Sequence, residues 1–181
     1  ISAYGVKVLT LPTLSELAEG KITFNDLKEV QIEDLLAREI ALPNEILLNK
    51  NIRNQVVLVT GAGGSIGSEL CRQIFKRSPS KIVLVDVSEA ALYQIDSELN
   101  DFVNRTKSNC SIVSRLCNVK DDQMIDHIIS KEKPDTVYHA AAYKHVVLVE
   151  ENVTEGIRNN VFGTLVLAEA AADLGVESFI L

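Results

Sequence analysis

Four glycines, Gly61, Gly63, Gly64 and Gly67, follow directly on the apolar run Val56-Val57-Leu58-Val59-Thr60. Backbone without side chains can bring its N–H groups close against an anion. A helix that starts at once, over Ser65–Arg77, adds unpaired N–H groups and the positive end of its dipole. A glycine cluster alone also makes ordinary turns. Here a strand precedes it, a helix follows it, and an acid stands at the end of the next strand, the context that a dinucleotide pyrophosphate requires. Gly61, Gly63, Gly64, Ser65, Ile66 and Gly67 are therefore candidate cofactor-binding residues.

Asp86 lies 19 residues beyond Gly67, at the end of the second strand of this unit. A carboxylate there can accept both ribose hydroxyls of an adenosine and would repel a 2′-phosphate, which favours NAD over NADP. The competing role is simply to begin the turn before Ser88. Ser88 stands among the cofactor-side candidates, although its favoured role is to cap the following helix. Asn118 and Val119 follow the third strand, where an adenine ring would lie. The Asn118 amide can bond the adenine edge or stabilise a turn before Asp121, and both roles stay open.

The stretch Tyr138-His139-Ala140-Ala141-Ala142-Tyr143-Lys144-His145 follows the fourth strand. Ala140, Ala141 and Ala142 leave room for a flat ring or a ribose at the carboxyl end of the sheet. Lys144 is placed to reach a ribose hydroxyl or an anionic substrate group. His145 can serve either the substrate or the loop, whereas His139, inside its strand, reads as a buried, hydrogen-bonded core residue. Asn152 and Glu155 have the spacing of a helix capping box, with Glu150 and Glu151 favouring that helix start electrostatically. Asn160 and Gly163 then fall inside one helix over Val153–Leu174, with Asn160 turned to the crevice. No Ser-His-Asp set, zinc-ligand cluster, paired acid or Tyr-x-x-x-Lys pair is evident, so no catalytic and no metal-binding residue is assigned.

Regular alternation positions these residues. Strands are expected at Val56–Thr60, Lys81–Val85, Ser111–Leu116, Thr136–His139 and Ser178–Leu181, with helices at Ser65–Arg77, Ser88–Val103, Asp121–Ser130 and Val153–Leu174 between them. Strands too apolar to face water imply an α/β fold, a parallel sheet covered by helices on both faces. Right-handed crossovers give a Rossmann-like strand order 3-2-1-4-5, incomplete without a sixth strand. This unit spans residues 55–181. Residues 1–54 form a mostly helical N-terminal segment: a short strand at Val6–Leu9, helices at Thr13–Ala18, from Asn25 or Asp26, and over Ile32–Glu39. A polar approach to the first strand follows at Asn49–Asn54.

The 181 residues carry a net charge of −7, acidic in both parts, which argues against a nucleic-acid partner. Apolar runs are strand-sized, too short to span a bilayer. Three cysteines without ligand spacing suit a reducing, cytoplasmic setting. The absence of an initiator Met and the apolar final strand suggest a fragment of a longer polypeptide. Its last strand would then be an open edge prone to homo-oligomerisation.

Thr60-Gly61-Ala62-Gly63-Gly64-Ser65-Ile66-Gly67 resembles the extended short-chain dehydrogenase fingerprint. Ser68-Glu69-Leu70-Cys71-Arg72-Gln73-Ile74, His139–His145 and Asn160-x-x-Gly163-Thr164 resemble a narrower branch, the CapD-like polysaccharide-biosynthesis family. Its members are membrane-anchored nucleotide-sugar 4,6-dehydratases acting on UDP-N-acetylglucosamine. Leu11-Pro12-Thr13, Glu19-Gly20-Lys21 and Ile32–Leu36 are similar to the segment before the catalytic domain in that branch. The resemblance implies NAD(P), oxidation of the sugar at C4, loss of water across C5 and C6, and return of the hydride to C6. It also implies a UDP-sugar substrate, a cytoplasmic domain in a protein anchored to the inner membrane, and catalytic residues beyond Leu181. Lys144 carries over as a cofactor- or substrate-side residue, His145 as substrate-side and Asn160 as a crevice residue. Val147 and Val153 stand where the family usually has proline, and Asn118 where many relatives have Asp or Ser. A UDP-sugar 4-epimerase, a non-catalytic dinucleotide-binding regulatory module and a structural protein with a glycine-rich loop are the competing readings.

Overall fold

The computed structural model describes residues 44–181, together with the backbone of two short strands, β1 (Leu9–Thr10) and β2 (Lys28–Glu29). Contacts divide the chain into two units, Ile1–Pro43 and Asn44–Leu181. In the first, β1 and β2 pair antiparallel, Leu9 opposite Glu29. Extended backbone at Lys28–Glu29 replaces the helix expected from Asn25 or Asp26. The expected helices at Thr13–Ala18 and Ile32–Glu39 lie outside the described residues, as does all but the end of the strand expected at Val6–Leu9.

The second unit opens with α1 (Glu45–Ile52), where a polar approach to the sheet was expected. Asn44 caps it, its side-chain oxygen accepting the Leu47 N–H at 3.1 Å. Leu48 and Ile52, one turn apart, pack into the core, which outweighs the polar Asn49-Lys50-Asn51 between them. Asn51 fastens α1 to the sheet. Its carbonyl accepts the Thr136 hydroxyl at 2.8 Å and its side chain accepts that of Ser178 at 3.4 Å.

Five parallel strands follow: β3 (Val56–Thr60), β4 (Lys81–Asp86), β5 (Ser111–Leu116), β6 (Thr136–His139) and β7 (Ser178–Ile180). Their spatial order β5-β4-β3-β6-β7 is the expected 3-2-1-4-5. Side chains alternate across the sheet and feed two cores. Val57, Val59, Ile82 and Leu84 meet one set of helices, α2 (Ser65–Phe75) and α3 (Glu89–Thr106), through Cys71, Ile74, Leu92, Ile95 and Leu99. Leu58, Val83, Val85 and Val137 meet the other, α4 (Asp122–Glu132) and α7 (Thr164–Asp173), through Ile125, Ile128, Ile129 and Leu167.

The helix expected over Val153–Leu174 runs without a break from Val153 to Asp173, but its winding changes in the middle. Between β6 and β7 the chain forms α5 (Val146–Glu151), α6 (Val153–Ile157), a π-helical turn at Arg158–Gly163, and α7. Glu150 and Glu151 end α5 and stand directly before the helical run that starts at Val153. Gly175, with φ +78°, follows α7 as a C-terminal cap, and the Val176 N–H returns to the Ala171 carbonyl at 2.9 Å. All five strands run the same way, so Thr60, Asp86, Leu116, His139 and Ile180 end along one rim.

Candidate functional site

The glycine turn at this rim is built from backbone in contact with backbone. Gly61 adopts φ +65°, and a Cβ on it would lie 2.5 Å from the Ala140 carbonyl oxygen. A Cβ on Gly67 would lie 1.9 Å from the Gly61 carbonyl oxygen, and one on Gly63 2.6 Å from the Ala91 Cβ. The turn thus draws β3, the first turn of α2, α3 and the end of β6 into one point. Gly64 occupies the N-cap of α2, and no side chain caps that helix. Its first N–H groups are left to an external acceptor.

Asp86 is 9% exposed and holds this turn from the next strand. One carboxylate oxygen accepts the Gly63 N–H at 2.8 Å and the other the Ser88 N–H at 2.8 Å. A cavity of about 190 Å³ opens beside it, lined by Asn118, Val119 and Ala140–Ala142 as well as by Gly61 and Gly64. Ser88 caps α3, its hydroxyl accepting the Ala91 N–H at 3.4 Å. Asn118 stabilises a turn, its side-chain oxygen accepting the Lys120 N–H at 3.0 Å. That bond leaves its amide N–H groups for the cavity, so the turn role and the adenine role of Asn118 are compatible.

The opposite wall is the coil from Ala140 to His145. Lys144 Nζ donates to the Ser65 hydroxyl at 2.9 Å, which places an ammonium beside the first residue of α2. His145 is exposed at the N-terminus of α5. Both line a second cavity of about 640 Å³, which the ends of β6 and β7 also border. Asn160 is committed to the loop rather than turned freely to the crevice. Its side-chain oxygen accepts the Tyr143 N–H at 2.8 Å, and its amide donates to the Tyr143 carbonyl at 2.9 Å. The capping box expected at Asn152 is not formed: Asn152 donates to the Leu148 carbonyl at 2.9 Å, and Glu155 pairs with Lys120. Gly163 is explained by packing, because a Cβ on it would meet Val119 at 2.9 Å.

Two residues without a sequence-level role sit at this wall. Asn159 is 5% exposed and donates to the Ala141 carbonyl at 2.8 Å. Thr164 links to His139, which is 6% exposed with both ring nitrogens engaged, Nδ1 by Thr60 at 2.7 Å and Nε2 by Thr164 at 2.9 Å. Burial holds the His139 imidazole below its usual pKa, so it is neutral in the core, as its place inside a strand suggests. The doubled Asn159-Asn160 was the one local signal for the first of these residues. Cys117, at the edge of the smaller cavity, is buried, and its thiol is pushed up to about 11. Burial pushes Cys71 to about 12 and Cys110 to about 11, so none of the three offers a thiolate at neutral pH. Among the described residues no His, Cys, Asp and Glu group could hold a metal ion, and no helix is long and apolar enough to cross a membrane.

Residues 57–181, which contain every one of these groups, match the family described as polysaccharide biosynthesis protein. The chain belongs to that family. It is 40% identical over 178 residues to the capsular polysaccharide biosynthesis protein CapD of Staphylococcus aureus, covering 98% of this chain and 29% of that protein. It is 29% identical over 125 residues to a UDP-N-acetylglucosamine 4,6-dehydratase (inverting) of Campylobacter jejuni, covering 68% of this chain and 34% of that enzyme. The fold is shared with the solved UDP-glucose-4-epimerase of Stenotrophomonas maltophila with bound NAD and formylated UDP-arabinopyranose. There the TM-score is 0.57 at 24% identity, over 69% of this chain and 35% of that one. The chain thus spans about a third or less of the length of these relatives.

Proposed function

We propose that this chain is the NAD-binding portion of a nucleotide-sugar 4,6-dehydratase acting on a UDP-N-acetylglucosamine-type substrate in surface polysaccharide synthesis. The observation that carries the reading is the uncapped start of α2 behind a glycine turn with no room for a Cβ, facing a cavity bordered by the Asp86 carboxylate. The residues fit a dinucleotide. Backbone N–H groups from Ser65 to Gly67 would hold the pyrophosphate, and Asp86 the adenosine ribose. The Asn118 amide would meet the adenine edge beside Val119, with Ala140–Ala142 as the flat wall. When bound, the nicotinamide supplies a hydride acceptor and donor. Lys144 stands between the α2 terminus and the larger cavity, where it can bond a ribose hydroxyl or neutralise a diphosphate. His145 faces the same cavity from the substrate side. No residue here is assigned to the proton transfers of dehydration, which fall to the longer protein. That protein is proposed to be anchored to the inner membrane with this domain in the cytoplasm, and to work as a homo-oligomer.

The test is a product assay on the complete polypeptide with UDP-N-acetylglucosamine. Dehydration yields a 4-keto product lighter by one water. A product of unchanged mass, epimerised at C4, would replace the dehydratase reading with an epimerase. NAD binding with no turnover of any UDP-sugar would favour a regulatory module.

A further inference from the structure

We propose that Asn159 and Asn160 form a two-amide clamp that shapes the wall of the dinucleotide cavity, which makes Asn159 a positioning residue. The inference rests on the dinucleotide-binding reading for its consequence, but its geometry stands apart from it. In the coil between β6 and α5 the Ala140 N–H still pairs with the Thr60 carbonyl of β3 at 3.1 Å. From Ala141 onward the polar backbone has left the sheet, and half-buried groups of that kind need a partner. The π-helical turn at Arg158–Gly163 supplies it by aiming two consecutive side chains at the same loop. Asn159 donates one amide hydrogen to the Ala141 carbonyl at 2.8 Å and the other to the Asn160 side-chain oxygen at 3.0 Å. Asn160 closes on Tyr143 from both sides, accepting from its N–H at 2.8 Å and donating to its carbonyl at 2.9 Å. One continuous run of hydrogen bonds therefore fixes Ala141 and Tyr143. Lys144 is next in the chain, and its ammonium reaches the Ser65 hydroxyl at 2.9 Å.

The clamp is itself anchored to the sheet, and counting protons fixes the direction of each bond. The Thr164 hydroxyl donates its only hydrogen to the Asn160 backbone carbonyl at 2.8 Å. Its oxygen must then accept from His139 Nε2–H at 2.9 Å. That leaves Nδ1 as an acceptor for the Thr60 hydroxyl at 2.7 Å. The neutral Nε2–H tautomer is thus assigned by its neighbours, and Thr60, the residue before the glycine turn, is linked through His139 and Thr164 to the clamp. Asn159 also borders the smaller cavity itself, so its effect on the wall is read separately, by hydrogen exchange at Tyr143 without any nucleotide.

Asn159→Asp tests this, because it keeps the shape of the side chain and removes its donors. The ionised carboxylate repels both the Ala141 carbonyl and the Asn160 side-chain oxygen. A protonated carboxyl can donate to the carbonyl again. The ratio of variant to native NAD dissociation constants is expected to be about tenfold or more at pH 8 and to fall towards one near pH 5, with no such trend for Asn159→Ala. A role confined to stability gives a ratio independent of pH, which would overturn the proposal. Hydrogen exchange without any nucleotide gives a second reading. The Tyr143 N–H should exchange at least tenfold faster in Asn159→Asp, while the amides of Val57–Val59 keep their native rates. An unchanged Tyr143 rate would refute the clamp. If the native chain binds no NAD, the proposed function fails and the exchange rates alone decide the clamp.

Discussion

Asp86 gives one oxygen to the Gly63 N–H and the other to the Ser88 N–H, so the carboxylate that borders the cavity also holds the glycine turn in place. Asp86→Ala should therefore weaken both NAD and NADP. Each lost bond to the charged group is worth about 1.5–3 kcal/mol, and NAD should lose more because the ribose contact goes as well. Calorimetric titration of both nucleotides checks this, and equal losses would remove Asp86 from the ribose. Gly67→Ala is the sharper case. A methyl 1.9 Å from the Gly61 carbonyl oxygen forces the turn and α2 apart. Such overpacking costs roughly 1–3 kcal/mol of stability, and NAD binding should vanish in the same titration. These residues were legible in the sequence because glycine spacing and an acid after the next strand are local signals. Asn159 was not: its target, the Ala141 carbonyl, lies 18 residues back in the chain, and only the fold brings the two together.

Among the elements, strands announced themselves through apolar runs, and Ser111–Leu116 and Thr136–His139 fall where expected. The helix after β6 has the expected span, and what its pattern did not show is the change of winding inside it. Helical periodicity runs through Val153–Leu174, and only the loop it grips, together with Gly163 against Val119, explains the π turn in its middle. The absent capping box has a similar cause, since Lys120 takes Glu155 away from Asn152. His139, which ties this segment to β3, gives a pH dependence. Burial lowers its pKa from 6.5, so the fold favours the neutral ring. The unfolded chain binds the proton more readily, and this contribution is present above about pH 6.5 and lost as pH falls through the folded value. Glu69 and Glu98 are held below 4.5 by side-chain hydrogen bonds, and in Glu132 burial, the largest single effect, pushes upward but is outweighed by Arg115 and Lys81 together. Their contributions are lost only at more acid pH. Between pH 7 and pH 5 the thermal midpoint should fall, and His139→Gln, which keeps a donor towards Thr164, should flatten that slope. A slope unchanged in the variant would assign the pH dependence elsewhere.

At the scale of the molecule, five parallel strands place the glycine turn, the Asp86 carboxylate, the Asn118 turn and a small-residue wall along one rim. The alternation of apolar strands with amphipathic helices along the chain is enough to imply that arrangement, because parallel strands joined by right-handed crossovers must all end on the same side. The extra helix α1 carries no such signal, because, of its four apolar residues, Ile46 and Leu47 stay exposed and only Leu48 and Ile52 reach the core. The account stands on dinucleotide binding, and calorimetric titration of the protein with NAD and, separately, with NADP tests it most directly. Saturable binding of one NAD per chain, at least tenfold tighter than NADP, is the expected result. Absence of binding to either nucleotide by a chain whose β3 amides are fully protected from exchange would contradict it.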